Sequence, residues 1–394
     1  MIKVILKKGR DESLRRFHPW VFSGAIAQIQ GSPAEGDIVA VHSAEGDYLA
    51  CGHYQIGSIA VRILSFDADP AAPEFWTESI GRALAVRLAA LPQDGDTNCF
   101  RLIHGEGDGL PGLIIDWYDG VCVMQAHSVG MFRAKAQICE ALKNVFGDKL
   151  KAVYDKSSGT APFKAGLDLI DGYIYKAAGF AKAENAVLEN GNKFYVNWEE
   201  GQKTGFFLDQ RDNRALVGKY ASGRKVLNLF CYTGGFSIYA LNNGALSVDS
   251  VDSSAKAMMM VDRNVALNGC ENHTSICADA IEYLGKVEAG KYDLMIVDPP
   301  AFAKHRGALK NALRAYQRLN AAAISKVAPG GLVFTFSCSQ VVDKITFANT
   351  VFSAAAQTGR SVRILDRLCQ GADHPVSIYH PEGEYLKGLV LYVE

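Results

Sequence analysis

The spacing of hydrophobic positions changes along the chain. In the first part, short apolar and β-branched runs are separated by Gly, Pro, Asp and Ser, a pattern typical of closely spaced strands. These runs cover residues 2–6, 37–41, 48–52 and 60–65. They predict a small β-barrel or sandwich.

The middle of the chain mixes both rhythms. Apolar residues at helical spacing among Glu and Arg predict helices over 71–91 and 134–146. Glycines at 105, 107, 109 and 112 precede predicted strands at 113–116 and 121–125, and a further strand pair is expected between 152 and 178. This part is predicted to be a compact α+β unit.

From about residue 187 the pattern becomes a strand–helix alternation. Predicted strands cover 225–230, 247–252, 292–298 and 331–337, and predicted helices cover 236–242 and 254–268. Such alternation is typical of an α/β fold with a parallel, doubly wound sheet, whose ligands bind at the carboxyl ends of the strands. The rim should therefore carry residues 228–235, Asp252, Asp298 and residues 337–339.

Composition narrows the classes of protein. The chain has 394 residues, enough for two or three domains, and a net charge of -1, so any nucleic-acid contact must be a local basic patch. Nine cysteines without a CxxC pair indicate neither a zinc ribbon nor a disulfide framework, and no metal is predicted. Without a signal peptide or a long apolar run, a soluble cytoplasmic protein is expected.

The first rim segment suits a nucleoside. Gly234 and Gly235 follow a buried strand and open a helix, but the segment matches neither GxGxxG nor a P-loop. Asp252 ends the next strand, where a carboxylate can accept hydrogen bonds from a ribose diol. Asp249 competes for that role, and a plain strand-to-helix turn is the alternative for the whole segment. The combination favours a mononucleoside such as S-adenosylmethionine.

Two further rim elements carry candidate chemistry. Asp298-Pro299-Pro300 forces a stiff turn that presents the acid and the following Phe302 to a cleft, where a flipped base could stack. Cys338 ends a strand between Ser337 and Ser339, a position suited to a nucleophile. A structural turn and a buried, inert cysteine are the alternatives.

Together these motifs resemble the bacterial 23S ribosomal RNA (cytosine-5)-methyltransferases of the large-subunit methyltransferase I family. The resemblance spans nearly the whole chain. Its motifs are HPWVFSG at 18–24, EGDGLPG at 106–112, KTGFFLDQR at 203–211, YTGGF at 232–236, DPP at 298–300, SCS at 337–339, DHP at 373–375 and PEGEYLKG at 381–388.

The resemblance implies three domains. They are an RNA-binding PUA domain at 1–70, an α+β domain at 71–185 and a Rossmann-like class I methyltransferase domain at 186–394. It also implies methylation of carbon 5 of one cytosine in 23S rRNA, in domain IV. Cys338 would add to carbon 6 and Asp298 would orient or protonate the ring.

The implied cofactor is S-adenosylmethionine. Asp252 would bind its ribose, Asp279 its adenine amino group, and residues 228–235 its methionine end, with residues from the KTGFFLDQR motif closing over it. The predicted cofactor residues are Asn228, Phe230, Tyr232, Thr233, Gly234, Gly235, Asp252, Asp279, Asp298, Pro299, Phe207, Asp209, Gln210 and Arg211.

RNA contacts are expected where basic and aromatic residues interleave. The candidates are Lys7, Lys8, Arg10, Arg15, Arg16, His18, Trp20, Lys304 and Arg306, although a solvated charged face, with Trp20 in the barrel core, is the alternative. The expected partner is 23S rRNA or the assembling large subunit, and the sequence leaves the oligomeric state open, a homodimer included.

Three other functions compete with this prediction. A methyltransferase acting on guanine N7 needs no thiolate. A non-catalytic RNA-binding or assembly factor that kept the fold is disfavoured by the intact Gly234, Gly235, Asp252, Asp298 and Cys338. A Rossmann oxidoreductase lacks support because GxGxxG is missing.

Overall fold

The computed structural model describes residues 1–92, 94–162, 166–181, 186–303 and 305–394. The chain divides into two compact units. The first contains Met1–Asn185, Val196–Leu208 and Ala372–Gly383, and the second contains Ala186–Tyr195, Asp209–Gly371 and Glu384–Glu394. Among the described residues, no helix is both long and apolar enough to cross a membrane.

The first unit begins with a six-stranded, curled sheet ordered β2-β6-β5-β4-β1-β3. Alternating residues of these strands, including Val4, Val39 and Val61, point into one small core. The elements are β1 (Ile2–Leu6), α1 (Glu12–Arg15), β2 (Trp20–Phe22), β3 (Ile26–Gln30), β4 (Ile38–His42), β5 (Tyr48–Tyr54) and β6 (Ile59–Ser65). The predicted small β domain is confirmed, and strands β2 and β3 are additions to the sequence prediction.

A five-stranded sheet ordered β11-β10-β9-β8-β7 completes the first unit. Apolar residues such as Ile115 and Met124 form a core with Ile80 and Ile138 from two helices. The elements are α2 (Phe75–Ala90), β7 (Cys99–His104), β8 (Leu113–Tyr118), β9 (Val121–Ala126), α3 (Val129–Arg133), α4 (Lys135–Phe146), β10 (Ala152–Asp155) and β11 (Gly172–Lys176).

Helix α2 begins later than the periodicity predicts. The periodicity predicts a helix over 71–91, whereas α2 covers Phe75–Ala90. The residue before a proline is disfavoured in the helical region, so Ala72 before Pro73 delays the start.

The second unit is built on a seven-stranded sheet ordered β16-β15-β14-β17-β18-β20-β19. Its elements are β12 (Ala186–Glu189), β13 (Asn192–Tyr195), α5 (Arg211–Ala221), β14 (Lys225–Leu229), α6 (Gly235–Asn242), β15 (Ser247–Asp252), α7 (Ala255–Leu267), β16 (His273–Cys277), α8 (Ala280–Lys286), β17 (Leu294–Val297), α9 (Leu309–Lys326), β18 (Gly331–Ser337), α10 (Lys344–Thr358), β19 (Val362–Cys369) and β20 (Lys387–Val393).

Strands β14 to β18 are mutually parallel, which confirms the predicted Rossmann-like sheet. Strand β20 is antiparallel and lies between β18 and β19. The sequence prediction does not include β19, β20 or the β12–β13 hairpin. Strand β20 pairs with β18, a segment far from it in the chain, whereas β12 and β13 are joined by a short turn.

Candidate active site

The carboxyl ends of four neighbouring strands define the candidate site. Strands β15, β14, β17 and β18 are adjacent and parallel, so the segments that follow them leave the same edge of the sheet. Asp252, the loop after β14, Asp298 and Cys338 all lie at this edge. The predicted rim residues of the second unit are therefore brought together by the topology.

The loop after β14 has an unusual backbone. Phe230, Tyr232 and Gly234 have positive φ angles of 58°, 48° and 83°. For the two aromatic residues this conformation is costly, and such strain is concentrated at ligand-binding sites. Gly234 is required for space as well, because a Cβ there would lie 3.1 Å from Val261 Cγ1.

Asp252 is fixed at the tip of β15 by backbone donors. Its Oδ2 accepts from Tyr232 N at 3.0 Å and its Oδ1 accepts from Ser254 N at 2.9 Å. A carboxylate has about four acceptor sites, so capacity for a ligand hydroxyl is left. Asp249 is committed elsewhere, since its Oδ2 accepts from the Tyr292 hydroxyl at 2.5 Å and from Lys291 Nζ at 3.2 Å.

Asp298 lies in a shielded acidic setting. Gln210 Nε2 donates to its Oδ2 at 3.0 Å, and Gln210 is itself held by Asn213 Nδ2, which donates to Gln210 Oε1 at 2.6 Å. Burial, followed by the neighbouring Asp209 carboxylate, raises the pKa of Asp298 to about 7. This acid can therefore hold or release a proton near neutral pH.

Asp209, the acid beside Asp298, is held by Tyr385, a residue that the sequence analysis does not include among the site residues. The Tyr385 hydroxyl donates to Asp209 Oδ2 at 2.7 Å. Tyr385 belongs to the 381–388 motif, but only the long-range fold reveals that it meets Asp209. The motif match was the available signal.

Cys338 follows β18 in a turn that neighbouring hydroxyls hold. The side chain is half-buried, whereas the flanking Ser337 and Ser339 are fully buried. Ser337 Oγ donates to the Tyr316 hydroxyl at 3.0 Å, and that hydroxyl also lies 3.0 Å from Ser339 Oγ. The Phe302 ring packs against Tyr316, with centroids 4.7 Å apart.

Other predicted cofactor residues have structural partners. Arg211 is buried with its Nε 3.7 Å from Glu189 Oε2, and Asn228 Nδ2 donates to Ser237 Oγ at 2.8 Å. Exposed Asp279 caps α8, since its Oδ1 accepts from Ile281 N and Glu282 N. Phe207 is half-buried and belongs to the first unit. Their roles toward a cofactor stay predictions.

The site suits a polar, nucleoside-like cofactor. Among the described residues, Asn228 Oδ1, Thr233 Oγ1 and Asp209 Oδ1 are buried without a hydrogen-bond partner. Buried polar atoms are usually paired, so each unpaired atom points to a missing ligand or water. With the strained loop and the Asp252 carboxylate, they fit S-adenosylmethionine, which would lie along residues 228–235 and Asp252.

The basic candidates of the first unit are exposed but partly paired. Arg15 forms ion pairs with Asp11 at 2.6 Å and Asp47 at 3.0 Å, and Arg16 pairs with Glu12 at 2.5 Å. Lys7 Nζ donates to Gly24 O at 2.9 Å. Lys8 and Arg10 are exposed in the same segment.

The aromatic candidates are not free surface groups. Trp20 is half-buried, and its Nε1 donates to Glu106 Oε1 at 2.9 Å. Its ring packs against His380, with centroids 4.3 Å apart, while His18 lies edge-on to both rings. Arg306 is exposed, and Lys304 lies outside the described residues.

Comparisons with known proteins agree with this architecture. Residues 4–66 match the PUA-like domain family, and residues 100–383 match the S-adenosylmethionine-dependent methyltransferase family. The chain resembles a methyltransferase crystallised in complex with SAH, with a TM-score of 0.84 over 100% of both chains and 21% identity, a likeness that concerns the fold.

Sequence relatives cover both domains. The Ribosomal RNA large subunit methyltransferase I of Shewanella amazonensis is 39% identical, over 100% of this chain and 99% of its own. The protein of the same name from Alteromonas mediterranea is 40% identical, over 99% of this chain and 98% of its own. The chain therefore belongs to the ribosomal RNA large subunit methyltransferase I family, whose cofactor is S-adenosylmethionine.

Proposed function

We propose that this protein methylates carbon 5 of a cytosine in 23S ribosomal RNA, with Cys338 as the nucleophile. The observation that carries the proposal is the placement of Cys338 and Asp298 at the ends of adjacent parallel strands, β18 and β17. One position offers a thiol and the other an acid whose pKa is raised to about 7. A rival methyltransferase acting on guanine N7 would use no thiol.

The proposed steps begin on the pyrimidine. The Cys338 thiolate adds to C6 of the cytosine, and Asp298 donates a proton or a hydrogen bond to the ring as electron density builds up. Bound S-adenosylmethionine supplies the methyl group that the activated C5 takes up. Loss of the C5 proton to a base and expulsion of the thiolate restore the aromatic ring and free Cys338.

The cofactor would be held by groups of the second unit. Asp252 would accept hydrogen bonds from the ribose hydroxyls, since its oxygens retain acceptor capacity beside Tyr232 N and Ser254 N. The strained loop at Phe230, Tyr232 and Gly234 would place backbone groups along the methionine end.

Basic residues of the first unit would bind the RNA. Exposed Lys8 and Arg10, which form no ion pair among the described residues, would contact phosphates. Arg15 and Arg16 would exchange their acidic neighbours for phosphates in the complex. The substrate would be 23S rRNA, free or in an assembling large subunit, in the cytoplasm.

The test is transfer from tritiated S-adenosylmethionine to unmodified 23S rRNA, followed by nucleoside chromatography. Wild-type protein should label 5-methylcytidine, and Cys338→Ala should abolish this label. Cys277→Ala is the matched control, because Cys277 is an exposed cysteine at the end of another strand of the same sheet. A guanosine product that survives Cys338→Ala would instead establish the N7 alternative.

A further inference from the structure

A buried lysine lies beneath the turn that carries Cys338. Lys387 opens β20 and stands opposite Ser337 in the antiparallel register with β18. Only 5% of the residue is exposed. Its Nζ donates to Ser339 O at 2.7 Å and to Val342 O at 2.5 Å, so its charged end lies against the segment that begins at Cys338.

Among the described residues, Lys387 forms no ion pair. Two acids, Glu384 and Asp343, favour the charged form of Lys387, but both have other partners. Glu384 pairs with Lys344, and Asp343 accepts from Thr346 N at 2.8 Å and from Thr346 Oγ1 at 2.7 Å. Two of its three N–H donors are used on neutral carbonyls, which leaves the charge uncompensated.

A buried, uncompensated cation is costly, and an adjacent anion relieves that cost. Burial lowers the pKa of Lys387 to about 8, while the Cys338 sulfur opposes that shift more strongly than Asp343 or Glu384 does. Among the described residues, further charged or titratable groups here are Lys344, which favours the neutral amine, the Tyr316 hydroxyl, which faces Cys338 from α9, and the Cys369 thiol, which stands opposite Lys387 in the β19–β20 register.

We propose that Lys387 is a positioning residue whose ammonium group stabilises the thiolate form of Cys338. The inference rests on the proposed role of Cys338 as nucleophile. The Cys338 proton passes to water before the reaction, and the sulfur electron pair then forms the bond to C6. When that bond breaks, the pair returns to sulfur beside the same cation, and no group is oxidised or reduced.

The test measures the thiolate without RNA or cofactor. Iodoacetamide alkylation of the full-length protein is followed against pH, and peptide mass spectrometry separates Cys338 from the other cysteines. In wild type, the Cys338 profile should have its midpoint below the ordinary value of about 8.5. Lys387→Met should raise that midpoint by about one unit or more, and Lys387→Arg should stay close to wild type.

Controls separate charge from packing. Lys344→Met removes a cation that is 51% exposed and paired with Glu384, and it should leave the Cys338 profile unchanged. Exposed Cys277 provides an internal standard in every variant. A Lys387→Met profile that coincides with wild type would reduce Lys387 to a structural role. A wild-type midpoint at or above about 8.5 would overturn the inference even if Lys387→Met failed to fold.

Failure of this inference differs from failure of the proposed function. If Cys338→Ala still produced 5-methylcytidine, Cys338 would not be the nucleophile, whatever its alkylation profile. If Cys338→Ala were inactive but Lys387→Met kept a wild-type alkylation profile, only the assignment of Lys387 would fall.

Discussion

Two buried acids, one in each unit, have opposite electrostatic surroundings. In the first unit, the Asp108 side chain is 2% exposed and bonds to the Arg87 side chain, which is 1% exposed, while His104 N donates to Asp108 Oδ2 at 2.6 Å. In the second unit, Asp298 accepts from the neutral Gln210 amide and faces the Asp209 carboxylate. The acid in the ion pair stabilises the fold, whereas the acid with the raised pKa is the one for which we propose a chemical role.

This difference extends to other motif residues of the first unit. Asp373 Oδ2 accepts from Arg101 N at 3.0 Å, and the Asp373 carbonyl accepts from Arg87 Nη2 at 2.9 Å. A Cβ on Gly107 would lie 1.9 Å from Pro375 O. The motifs at 106–112 and 373–375 thus meet inside one unit, where they act on packing.

The largest expected effect is on the paired acid. Asp108→Ala leaves the buried Arg87 charge without its partner, which should lower the free energy of unfolding by about 3–5 kcal/mol. The control is Glu140→Ala, because Glu140 is an exposed acid that pairs with Lys143 on α4. Chemical denaturation measures both variants. Small and equal losses of unfolding free energy in the two variants would show that Asp108 contributes no more to stability than the exposed Glu140.

The sequence indicates which acids belong to motifs but not how each is paired. Strands at 2–6, 247–252 and 331–337 are predicted with their observed limits, because their hydrophobic patterns are local. The partners of Asp108 and Asp209 are not predicted, because Arg87 and Tyr385 lie 21 and 176 positions away from them in the sequence. The same limit hid Lys387, whose position under Cys338 depends on the antiparallel insertion of β20.

The next effect concerns two acids on one strand. Asp252→Asn should weaken S-adenosylmethionine binding by about tenfold, because the charge-assisted hydrogen bonds that we propose to the ribose would be lost. Asp249→Asn, at a position already bonded to Tyr292 and Lys291, should leave the affinity within about twofold. Isothermal titration calorimetry measures both. If Asp249→Asn weakened binding more than Asp252→Asn, the ribose assignment would be reversed.

The smallest effect is a pH dependence of stability at Asp298. Its pKa is raised from 3.8 to about 7 on folding, so the folded protein binds more protons and loses stability as pH rises between these values. Asp298→Asn removes this loss. The free energy of unfolding of the variant, relative to that of wild type, should therefore increase by about 1 kcal/mol or more between pH 5 and 7.

The control for this titration is Asp343→Ala. Hydrogen bonds from Thr346 lower the pKa of Asp343, so its carboxylate stays ionised across this range. The variant should therefore lose the same stability at pH 5 and at pH 7. Thermal unfolding at the two values distinguishes the acids, and a flat difference for Asp298→Asn would contradict the raised pKa.

The most direct test of the account is a covalent trap. With S-adenosylmethionine and RNA carrying 5-fluorocytosine at the target, the fluorine prevents loss of a C5 proton, so the thiolate cannot leave and the enzyme stays bound to C6. We predict an RNA adduct on the Cys338 peptide of wild type that Cys277→Ala retains and Cys338→Ser lacks. An adduct on another residue, or methyl transfer without an adduct, would contradict Cys338 as the nucleophile.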